Sequence, residues 1–369
     1  MTEFYRGKKV LVTGHTGFKG TWLTKVLVNM GAEVLGYSRC SKKELSLFER
    51  SGVEKQIIHV KGDVCDYQYL LGTFRSFQPD IVLHLAAQPI VRESYSDPRA
   101  TYETNVMGTV NVLEAVRNTA AVKSVVIITT DKVYQNNEWV WGYRENEALD
   151  GFDPYSNSKS SAELVTGSYR RSFPALPPIS TARAGNVIGG GDFAKDRIIP
   201  DCVRAIAKGE PIIVRNPFSI RPYQHVLEPL FAYLLIAHRQ YENSSLAGTY
   251  NVGPEECDCV TTGELVNLFC DFWGETAGWE TGEGKNAPHE ATHLKLDCTL
   301  MKSEFGWQPK WHIDETTVNQ LGRERGRDPP DNGNSGCKRH KCLRDHNWFK
   351  WSCWYWRKRG KKAEPVGWS

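Results

Sequence analysis

The chain has 369 residues, of which 40% are hydrophobic and 24% are charged, a composition typical of an enzyme with one large α/β domain and a smaller one. No stretch approaches the ~18 consecutive apolar residues of a membrane span, and the first nine residues lack the apolar core of a signal peptide. We therefore expect a cytoplasmic protein that binds no membrane and keeps its 10 cysteines as free thiols.

Charge is distributed unevenly along the chain, although the formal net charge is only +3. Residues 323–369 carry 13 lysines and arginines against 5 acidic residues, a net charge of +8, which leaves −5 for the residues before them. The mildly acidic body and the basic tail therefore need separate interpretations.

The first predicted unit begins with an apolar run at residues 10–12, as a buried parallel strand would, and a helical apolar pattern follows over residues 21–29. Between them, three glycines stand at G-x-x-G-x-x-G spacing: Gly14, Gly17 and Gly20. Glycines let the backbone approach a pyrophosphate, and a helix N-terminus offers free N–H groups. This unit therefore predicts the dinucleotide-binding start of a Rossmann fold, with the glycine spacing of the short-chain dehydrogenase/reductase type.

Residues 32–37 predict the second strand, and a short helix is expected over residues 44–50. A Rossmann fold usually places an acid at the end of the second strand to bind the adenosine ribose. Here Ser38 and Arg39 stand at that end. Arg39 either favours a 2′-phosphate, and hence NADP, or is a solvated loop residue.

The third strand is predicted over residues 57–60 and is followed by Asp63 and Val64. A carboxylate just beyond a strand end can accept a hydrogen bond from the adenine amino group, and the simpler alternative is a turn or helix-capping aspartate. A helix over residues 67–77 and a fourth strand over residues 81–85 come next. The small residues Ala86 and Ala87 then allow the backbone to come close to a cofactor.

A long helix is predicted over residues 102–117 and a fifth strand over residues 124–129. Asn105 in this helix is either a surface residue or a buried amide that ties the helix to the active-site strand. The repeated alternation of strands and helices predicts an α/β fold with a doubly wound parallel sheet of the Rossmann type.

A hydroxyl, a carboxyl and an amine follow the fifth strand in consecutive positions, as Thr130, Asp131 and Lys132. Active sites of open parallel sheets lie at the carboxyl ends of the strands. We therefore predict a catalytic role for this triplet, the alternative being a loop with a helix-capping aspartate.

The next motif is Y-x-x-x-K, formed by Tyr155 and Lys159 at the start of a helical stretch that runs through residue 165. Residues four apart share one face of a helix, so we expect the ammonium of Lys159 to lie near the phenol of Tyr155. A neighbouring cation would lower the pKa of the phenol from its usual ~10. A phenol of this kind can accept the proton of a sugar hydroxyl while hydride leaves the same carbon.

From about residue 182 we expect a smaller C-terminal lobe for the substrate, and residues 249–252 predict a strand that returns to the main sheet. Residues 183–191 read as a strand and a glycine run, where Asn186 could face a nucleotide diphosphate. Arginines suit a diphosphate because their fork can bind two oxygens, although any one of them is more often a surface residue; the candidates are Arg197, Arg215 and Arg221. We favour Arg221, which stands near Tyr223 and His225.

An H-E-x-x-H pattern occurs between His289 and His293. A zinc site of this type needs a helix that places both histidines on one face. Pro288 and a strand-like run at residues 294–297 argue against such a helix. We therefore expect no metal.

The motifs together resemble the nucleotide-sugar-modifying members of the extended short-chain dehydrogenase/reductases, and within them the CDP-glucose 4,6-dehydratases. The resemblance covers about residues 7–316 and is carried by the following segments: GHTGFKG at 14–20, HLAAQPIVRESY at 84–95, TNVMGT at 104–109, TTDKVY at 129–134, WGYRENEALDGFDPYSNSK at 141–159, RAGNVIGGGD at 183–192 and IRPYQHVLEPL at 220–230. Related dTDP-glucose enzymes carry Thr-Asp-Glu where this chain has the triplet 130–132, and the epimerases of the group lack the acid.

This resemblance implies an NAD-dependent dehydratase that converts CDP-glucose to its 4-dehydro-6-deoxy product for dideoxy sugars of O-antigen lipopolysaccharide. It implies an NAD site at Gly14, Gly17, Phe18, Lys19, Gly20, Asp63, Val64, Leu85, Ala86, Ala87, Tyr155 and Lys159. It implies a substrate site at Gln88, Asn186, Arg197, Arg215, Arg221 and His225. The corresponding domains are residues 1–181 for NAD and mainly 182–316 for the nucleotide sugar, in a homodimer or homotetramer.

The resemblance also implies the roles of the catalytic residues. Tyr155 removes the C4 hydroxyl proton, Thr130 bonds the C4 oxygen, and Asp131 acts as the acid because burial raises the pKa of a carboxyl. The glutamate of the related enzymes removes the C5 hydrogen, so we assign this role to Lys132 as a hypothesis. A lysine serves as a base only if its pKa is lowered by burial or by nearby cations.

Two alternative functions remain open at this stage, which are a nucleotide-sugar 4-epimerase or decarboxylase and an NAD-sensing binding protein. The resemblance stops after residue 316, and residues 317–369 form an atypical basic tail. Our preferred hypothesis is out-of-frame translation from about Val318, and we expect the tail to be disordered. A zinc knuckle and a nucleic-acid-binding segment are the alternatives for the tail, and we expect no nucleic-acid partner.

Overall fold

The computed structural model describes residues 1–39, 46–274, 277–282 and 291–321. The predictions for the basic tail beyond residue 321, for the first part of the helix at residues 44–50 and for His289 lie outside the described residues. None of the helices within the described ranges is long and apolar enough to cross a lipid bilayer.

The strands are, in chain order, β1 (Lys9–Thr13), β2 (Glu33–Ser38), β3 (Ile58–Lys61), β4 (Ile81–His84), β5 (Ser124–Ile128), β6 (Ile179–Ala184), β7 (Val187–Ile188), β8 (Ile212–Val214), β9 (Ile220–Pro222), β10 (Gln224–His225), β11 (Thr249–Val252), β12 (Cys259–Thr261) and β13 (Trp279–Thr281). The helices are α1 (Thr2–Tyr5), α2 (Phe18–Asn29), α3 (Leu47–Ser51), α4 (Tyr67–Phe77), α5 (Val91–Ser96), α6 (Pro98–Tyr102), α7 (Gly108–Arg117), α8 (Pro154–Ser172), α9 (Ile198–Lys208), α10 (Leu227–Glu242), α11 (Thr262–Trp273), α12 (Thr299–Phe305) and α13 (Ile313–Leu321).

Seven strands form one central sheet in the spatial order β11, β6, β5, β4, β1, β2, β3, and every neighbouring pair is parallel. This arrangement confirms the predicted doubly wound Rossmann-type sheet. The strand order reverses between β1 and β4, and such a switch point opens a crevice at the carboxyl ends of the strands.

The two faces of the sheet are covered by different helices, as the alternation of side chains along β1 shows. Val10 and Val12 pack in one apolar cluster with residues of α2 and α10. Leu11 points to the other face and packs with residues of α4 and α7. Because both faces are covered, β1 and β4–β6 are almost completely buried, which explains the apolar runs of β1, β4 and β5.

The predicted helix over residues 102–117 is not continuous. A π-helical turn at Glu103–Met107 separates α6 from α7. Within this turn Asn105 is buried, and its side chain donates to the carbonyl of Gln88 at 3.1 Å and to Ser158 Oγ at 2.9 Å. The sequence allowed two interpretations of Asn105, a surface residue or a buried amide. The structure shows a buried amide that links this helix to the loop after β4 and to α8.

A smaller lobe contains three two-stranded pairings, β7 with β10, β9 with β12 and β8 with β13. Apolar residues of α9 and α11 form its core, including Cys202, Leu265 and Phe269. Residues 294–297, which the sequence suggested as strand-like, make only isolated bridges, such as that of Leu296 to Tyr143. The strand β11 comes late in the chain but pairs with β6 at the edge of the main sheet.

Candidate active site

A cavity of about 860 Å³ lies between the carboxyl ends of the sheet strands and the smaller lobe. All predicted site residues except Gln88 and His225 contribute to its lining: Gly14, Gly17, Phe18, Lys19, Gly20, Asp63, Val64, Leu85, Ala86, Ala87, Thr130, Asp131, Lys132, Tyr155, Lys159, Asn186, Arg197, Arg215 and Arg221. The fold therefore brings residues from both halves of the chain to a single space.

The glycine-rich turn forms one wall of the cavity. Gly14 has φ = +71°, and a Cβ at this position would lie 2.7 Å from the backbone nitrogen of Ala86. The turn leads into α2, whose first residues carry no side-chain cap. Free N–H groups and the positive end of the helix dipole therefore face a tight backbone cradle, which fits the pyrophosphate of a dinucleotide.

The turn after β3 holds Asp63 in several contacts. One carboxylate oxygen accepts from the backbone N–H of Cys65 at 3.0 Å, and the other lies 3.8 Å from the guanidinium of Arg39. Both side chains are partly exposed and line the cavity. The arginine at the end of β2 is thus an ion-pair partner of the predicted adenine-binding carboxylate as well as a cavity residue.

The triplet 130–132 begins a 3₁₀ turn immediately after β5. Asp131 is buried, and its Oδ1 accepts a hydrogen bond from the hydroxyl of Thr130 at 2.9 Å. Its Oδ2 is buried without a hydrogen-bond partner among the described residues. Burial raises the pKa of Asp131, whereas the charges of Lys132, Arg221 and Lys19 partly oppose this rise. The site therefore contains a carboxyl group that favours its protonated form more than an exposed aspartate does.

Helix α8 presents Tyr155 and Lys159 to the cavity. Asp153 caps its N-terminus by accepting from the N–H of Ser156 at 3.0 Å, and Pro154 occupies the first turn, where a missing N–H costs nothing. Lys159 lies one turn beyond Tyr155, and its ammonium donates to the carbonyl of Ile128 at 3.1 Å. The end of β5 therefore holds the lysine directly.

The predicted lowering of the Tyr155 pKa is wrong. Burial raises the pKa of Tyr155 to about 12, and a hydrogen bond with Thr130 and the charge of Arg197 only partly offset it. Burial also lowers the pKa of Lys159 to about 8, against the attraction of Glu163. The sequence placed both groups on one helix face correctly, but it could not show how far each one is withdrawn from water.

Basic residues of the lobe and of α5 also line the cavity. Arg221 is buried on β9, and its guanidinium donates to the carbonyls of Ile220 and Ala291. Arg215 donates to Asp196 at 3.4 Å, and Arg92 lies 3.4 Å from the same carboxylate oxygen. These guanidinium groups line the cavity together with Arg197, so this part of the cavity can bind an anionic group.

The structure does not bring Gln88 into the cavity lining. Its amide nitrogen donates to the hydroxyl of Thr101 at 3.0 Å and to the carbonyl of Ile90 at 3.1 Å, while its oxygen accepts from the N–H of Ile90 at 2.6 Å. The buried side chain thus shapes the loop between β4 and α5. The family resemblance implied substrate contact for Gln88, but in the structure its amide is satisfied by the backbone of Ile90 and the hydroxyl of Thr101.

His225 is likewise buried outside the cavity lining. Its ring packs edge-on against Trp311 with the ring centroids 4.2 Å apart, and Nδ1 accepts from the N–H of Leu227 at 3.3 Å. Burial lowers the pKa of His225 to about 3. The side chain therefore anchors the start of α10, a role that proximity to Arg221 in sequence did not reveal.

Sequence reasoning missed Arg92 and Asp196, which both line the cavity. Asp196 adopts φ = +60°, an uncommon backbone conformation for a residue with a side chain. A charged residue just beyond the loop after β4 was a signal that could have identified Arg92. No local pattern distinguished Asp196, because its partners come from α5 and from the loop after β8.

The chain matches known proteins over most of its length. Residues 11–319 match the family model described as GDP-mannose 4,6 dehydratase. A CDP-glucose 4,6-dehydratase of Salmonella typhimurium is 49% identical over 87% of this chain and 90% of its own. A dTDP-glucose 4,6-dehydratase of Haemophilus influenzae is 26% identical over 82% of this chain and 93% of its own.

Solved structures show the same fold. A UDP-glucose 4-epimerase of Thermus thermophilus in complex with NAD superposes with a TM-score of 0.74 at 26% identity, over 84% of this chain and 96% of that one. A dTDP-glucose 4,6-dehydratase of Bacillus anthracis in complex with NAD gives a TM-score of 0.73 at 21% identity, over 85% and 95%. The resemblance inferred from the sequence is confirmed, and the chain belongs to the family described as GDP-mannose 4,6 dehydratase.

Proposed function

We propose that the protein converts CDP-D-glucose to CDP-4-dehydro-6-deoxy-D-glucose and water, with NAD as its cofactor. The 49% identity to a CDP-glucose 4,6-dehydratase supports the substrate and the reaction. The observation that carries the chemistry is the buried Asp131 carboxyl with an unpartnered Oδ2, in the same cavity as Tyr155 and Lys159. This acid separates a dehydratase from an epimerase, which needs no proton donor for a leaving hydroxyl.

The residues of the first βα unit fit a dinucleotide cofactor. Gly14, Gly17 and Gly20 leave the backbone accessible beside the start of α2, and Ala86 and Ala87 are small residues that line the same cavity. NAD would accept a hydride from C4 of the sugar and later return it to C6. Asp63 and Val64 would contact the adenine end.

Tyr155 and Lys159 would begin the reaction at C4. Tyr155 accepts the hydroxyl proton at its phenolic oxygen, and Thr130 bonds the sugar oxygen from which the proton leaves. Because burial raises the pKa of Tyr155, this step depends on positive charge near the phenol, which Arg197 supplies.

Elimination of water would then take place at C5 and C6. The 4-keto group acidifies the C5 hydrogen, which a base removes as a proton while the C6–O bond breaks. Asp131 donates a proton to the departing hydroxyl, so that water leaves and a C5–C6 double bond forms. Hydride would then add at C6 while the base returns its proton to C5. Lys132 follows Asp131 in the turn and lines the cavity, which supports its assignment as the base.

The lobe formed mainly by residues 182–316 would bind the nucleotide diphosphate. Its guanidinium groups at Arg197, Arg215 and Arg221 line the cavity, and the charge of Arg221 acts on Asp131 of the triplet. Asn186 lies in the loop between β6 and β7 and lines the same cavity. The product is a precursor for dideoxy sugars. We therefore expect the next reaction to belong to dideoxy-sugar synthesis.

Two copies of the chain would pair through the helices on one face. Large apolar side chains are exposed there on α6, α8 and the π-helical turn: Tyr102, Met107 and Leu164. Sedimentation of the purified protein tests this part of the proposal, because Leu164→Glu should convert a dimer to a monomer if the face is the interface.

Mass spectrometry of CDP-glucose after incubation with the protein and NAD tests the reaction. We expect loss of one water from CDP-glucose and no loss in Asp131→Asn. An unchanged mass with a new isomer on chromatography would identify an epimerase instead. No change in CDP-, UDP- or dTDP-glucose would contradict an enzymatic function on these sugars.

A further inference from the structure

The proposed chemistry leaves one buried carboxylate of α8 without a role. Glu163 lies one helical turn beyond Lys159 and is 4% exposed. Its Oε1 accepts from the hydroxyl of Thr129 at 2.5 Å, and its Oε2 accepts from the hydroxyl of Thr181 at 2.7 Å and from the guanidinium of Arg183 at 3.1 Å. Glu163 therefore joins α8 to the end of β5 and to β6, outside the cavity lining.

The partner of Glu163 is itself held from several directions. The Arg183 guanidinium donates to the Tyr134 hydroxyl at 2.8 Å and to the carbonyl of Glu145 at 3.1 Å. The Tyr134 hydroxyl donates in turn to Oδ1 of Asn251 on β11 at 2.6 Å. Glu163 is thus one end of a buried polar network that extends from α8 to the edge of the main sheet.

A network of this kind is not explained by stability alone. Removing a carboxylate and a guanidinium from water is costly, and well-packed apolar residues often serve as well or better. The contacts of Glu163 point to the reaction instead. Thr129 directly precedes the triplet 130–132, and the carbonyl of Ile128 holds the Lys159 ammonium.

Glu163 is also the carboxylate that acts on the charge of Lys159. Burial lowers the pKa of Lys159 to about 8, and the attraction of Glu163 opposes that change. The other charged or titratable groups near the lysine are Tyr155 on the same helix, His84 on β4 and Lys19 on α2. His84 is held neutral near pH 7, because burial lowers its pKa to about 3, and Lys19 repels the ammonium.

We propose that Glu163 is a positioning residue that keeps the Lys159 ammonium charged and fixes α8 against the end of β5. Tyr155 and Asp131, which come from these two elements, then face the same substrate. The catalytic part of this inference rests on the proposed function, whereas the effect on the charge of Lys159 does not. Glu163 does not line the cavity, so it acts only through its neighbours.

Glu163→Gln tests the inference, because it keeps the shape and one acceptor oxygen but removes the charge. Nuclear magnetic resonance of protein labelled with ¹⁵N at the lysine ammonium groups follows the titration directly. The Lys159 signal is assigned by its loss in Lys159→Arg. We expect Lys159 to lose its proton at a pH lower by about one unit in Glu163→Gln, since removal of one nearby opposite charge has an effect of about this size.

The kinetic counterpart is the alkaline limb of the rate at which substrate reduces the bound cofactor in a single turnover. It should move to lower pH in Glu163→Gln, with KM nearly unchanged, and return in Glu163→Asp. Glu228→Gln is the matched control, because Glu228 is 6% exposed and accepts from the N–H groups of Lys310 and Trp311. It should leave both titrations in place.

An unchanged Lys159 titration in folded Glu163→Gln overturns the inference. If this variant does not fold, the double variant Glu163→Gln/Arg183→Met removes both buried charges. It must show a smaller shift in the same direction, because loss of the Arg183 cation partly compensates for loss of the carboxylate. A wild-type protein that dehydrates none of the nucleotide sugars contradicts the proposed function, but the resonance titration still decides whether Glu163 controls the charge of Lys159.

Discussion

The two walls of the cavity hold their charged groups in opposite ways. On the reaction side, formed by the end of β5 and by α8, Asp131 is 1% and Lys159 is 4% exposed, and neighbouring backbone and side chains fix both. On the lobe side, Arg215 of the lobe and Arg92 of the adjoining helix α5 have side chains that are 38% and 45% exposed, and they share one carboxylate oxygen of Asp196 at 3.4 Å. Arg221 of the lobe is buried and does not belong to this exposed pair.

This difference indicates a division of labour in the cavity. Groups that are buried and fixed before the substrate arrives need no reorganisation during the reaction, which is how electrostatic catalysis is most effective. Half-exposed arginines with weak partners can change partners when a diphosphate binds. Substitutions on the reaction side should therefore lower kcat. Substitutions on the lobe side should change KM and leave kcat nearly constant.

Asp131→Asn should have the largest effect, because it removes the proton donor and keeps the shape of the side chain. We expect kcat to fall by about 10²–10⁴-fold, the usual contribution of a general acid, with KM nearly unchanged. Steady-state measurement of product formation checks this. A large rise in KM with little change in kcat would place Asp131 among the binding residues and remove the contrast between the two walls.

Gly14→Ala should damage the glycine-rich turn between β1 and α2 through the backbone. The new Cβ would lie 2.7 Å from the nitrogen of Ala86, and the left-handed φ of +71° adds strain of about 1–2 kcal/mol. Gly7 is a matched control, since it has φ = +70° and nothing within 4 Å of an added Cβ. Gly14→Ala should reduce both the melting temperature and NAD affinity, whereas Gly7→Ala should cost only the strain. Equal losses in the two variants would contradict a tight cradle.

Arg215→Ala should act on binding. We expect KM for the nucleotide sugar to rise about 10-fold, because a charge-assisted hydrogen bond contributes about 1.5–3 kcal/mol before allowance for its partial exposure. The kcat value should stay within a factor of about two. A fall in kcat that matches Asp131→Asn would show that the lobe side also takes part in the chemistry.

Asp196→Asn should have the smallest effect and the opposite sign. The carboxylate competes with a diphosphate for Arg92 and Arg215, so its removal should lower KM by about two- to five-fold, in line with the weak energies of exposed ion pairs. The gain should fade as salt is raised, since salt screens the competing charges. A higher KM in the variant would mean that Asp196 positions the arginines rather than competing for them.

The elements that depend on local pattern were predicted closely from the sequence. The helix at Tyr67–Phe77 and the strand at Thr249–Val252 have the expected bounds. The glycine-rich turn, the carboxyl end of β5 and the pair Tyr155 and Lys159 all line the cavity, as the sequence predicted. These features follow from periodicity and from the small set of backbone shapes that a strand, turn and helix can adopt.

The sequence by itself determined the sheet type and the family and supplied the candidate catalytic residues, because each depends on neighbours along the chain. Only the tertiary structure decided that Gln88 and His225 serve the framework and that Arg92 and Asp196 face the cavity. It also decided that burial raises the pKa of Tyr155 rather than allowing Lys159 to lower it. Burial and pairing are set by segments far apart in the chain, and no local pattern records which of them meet.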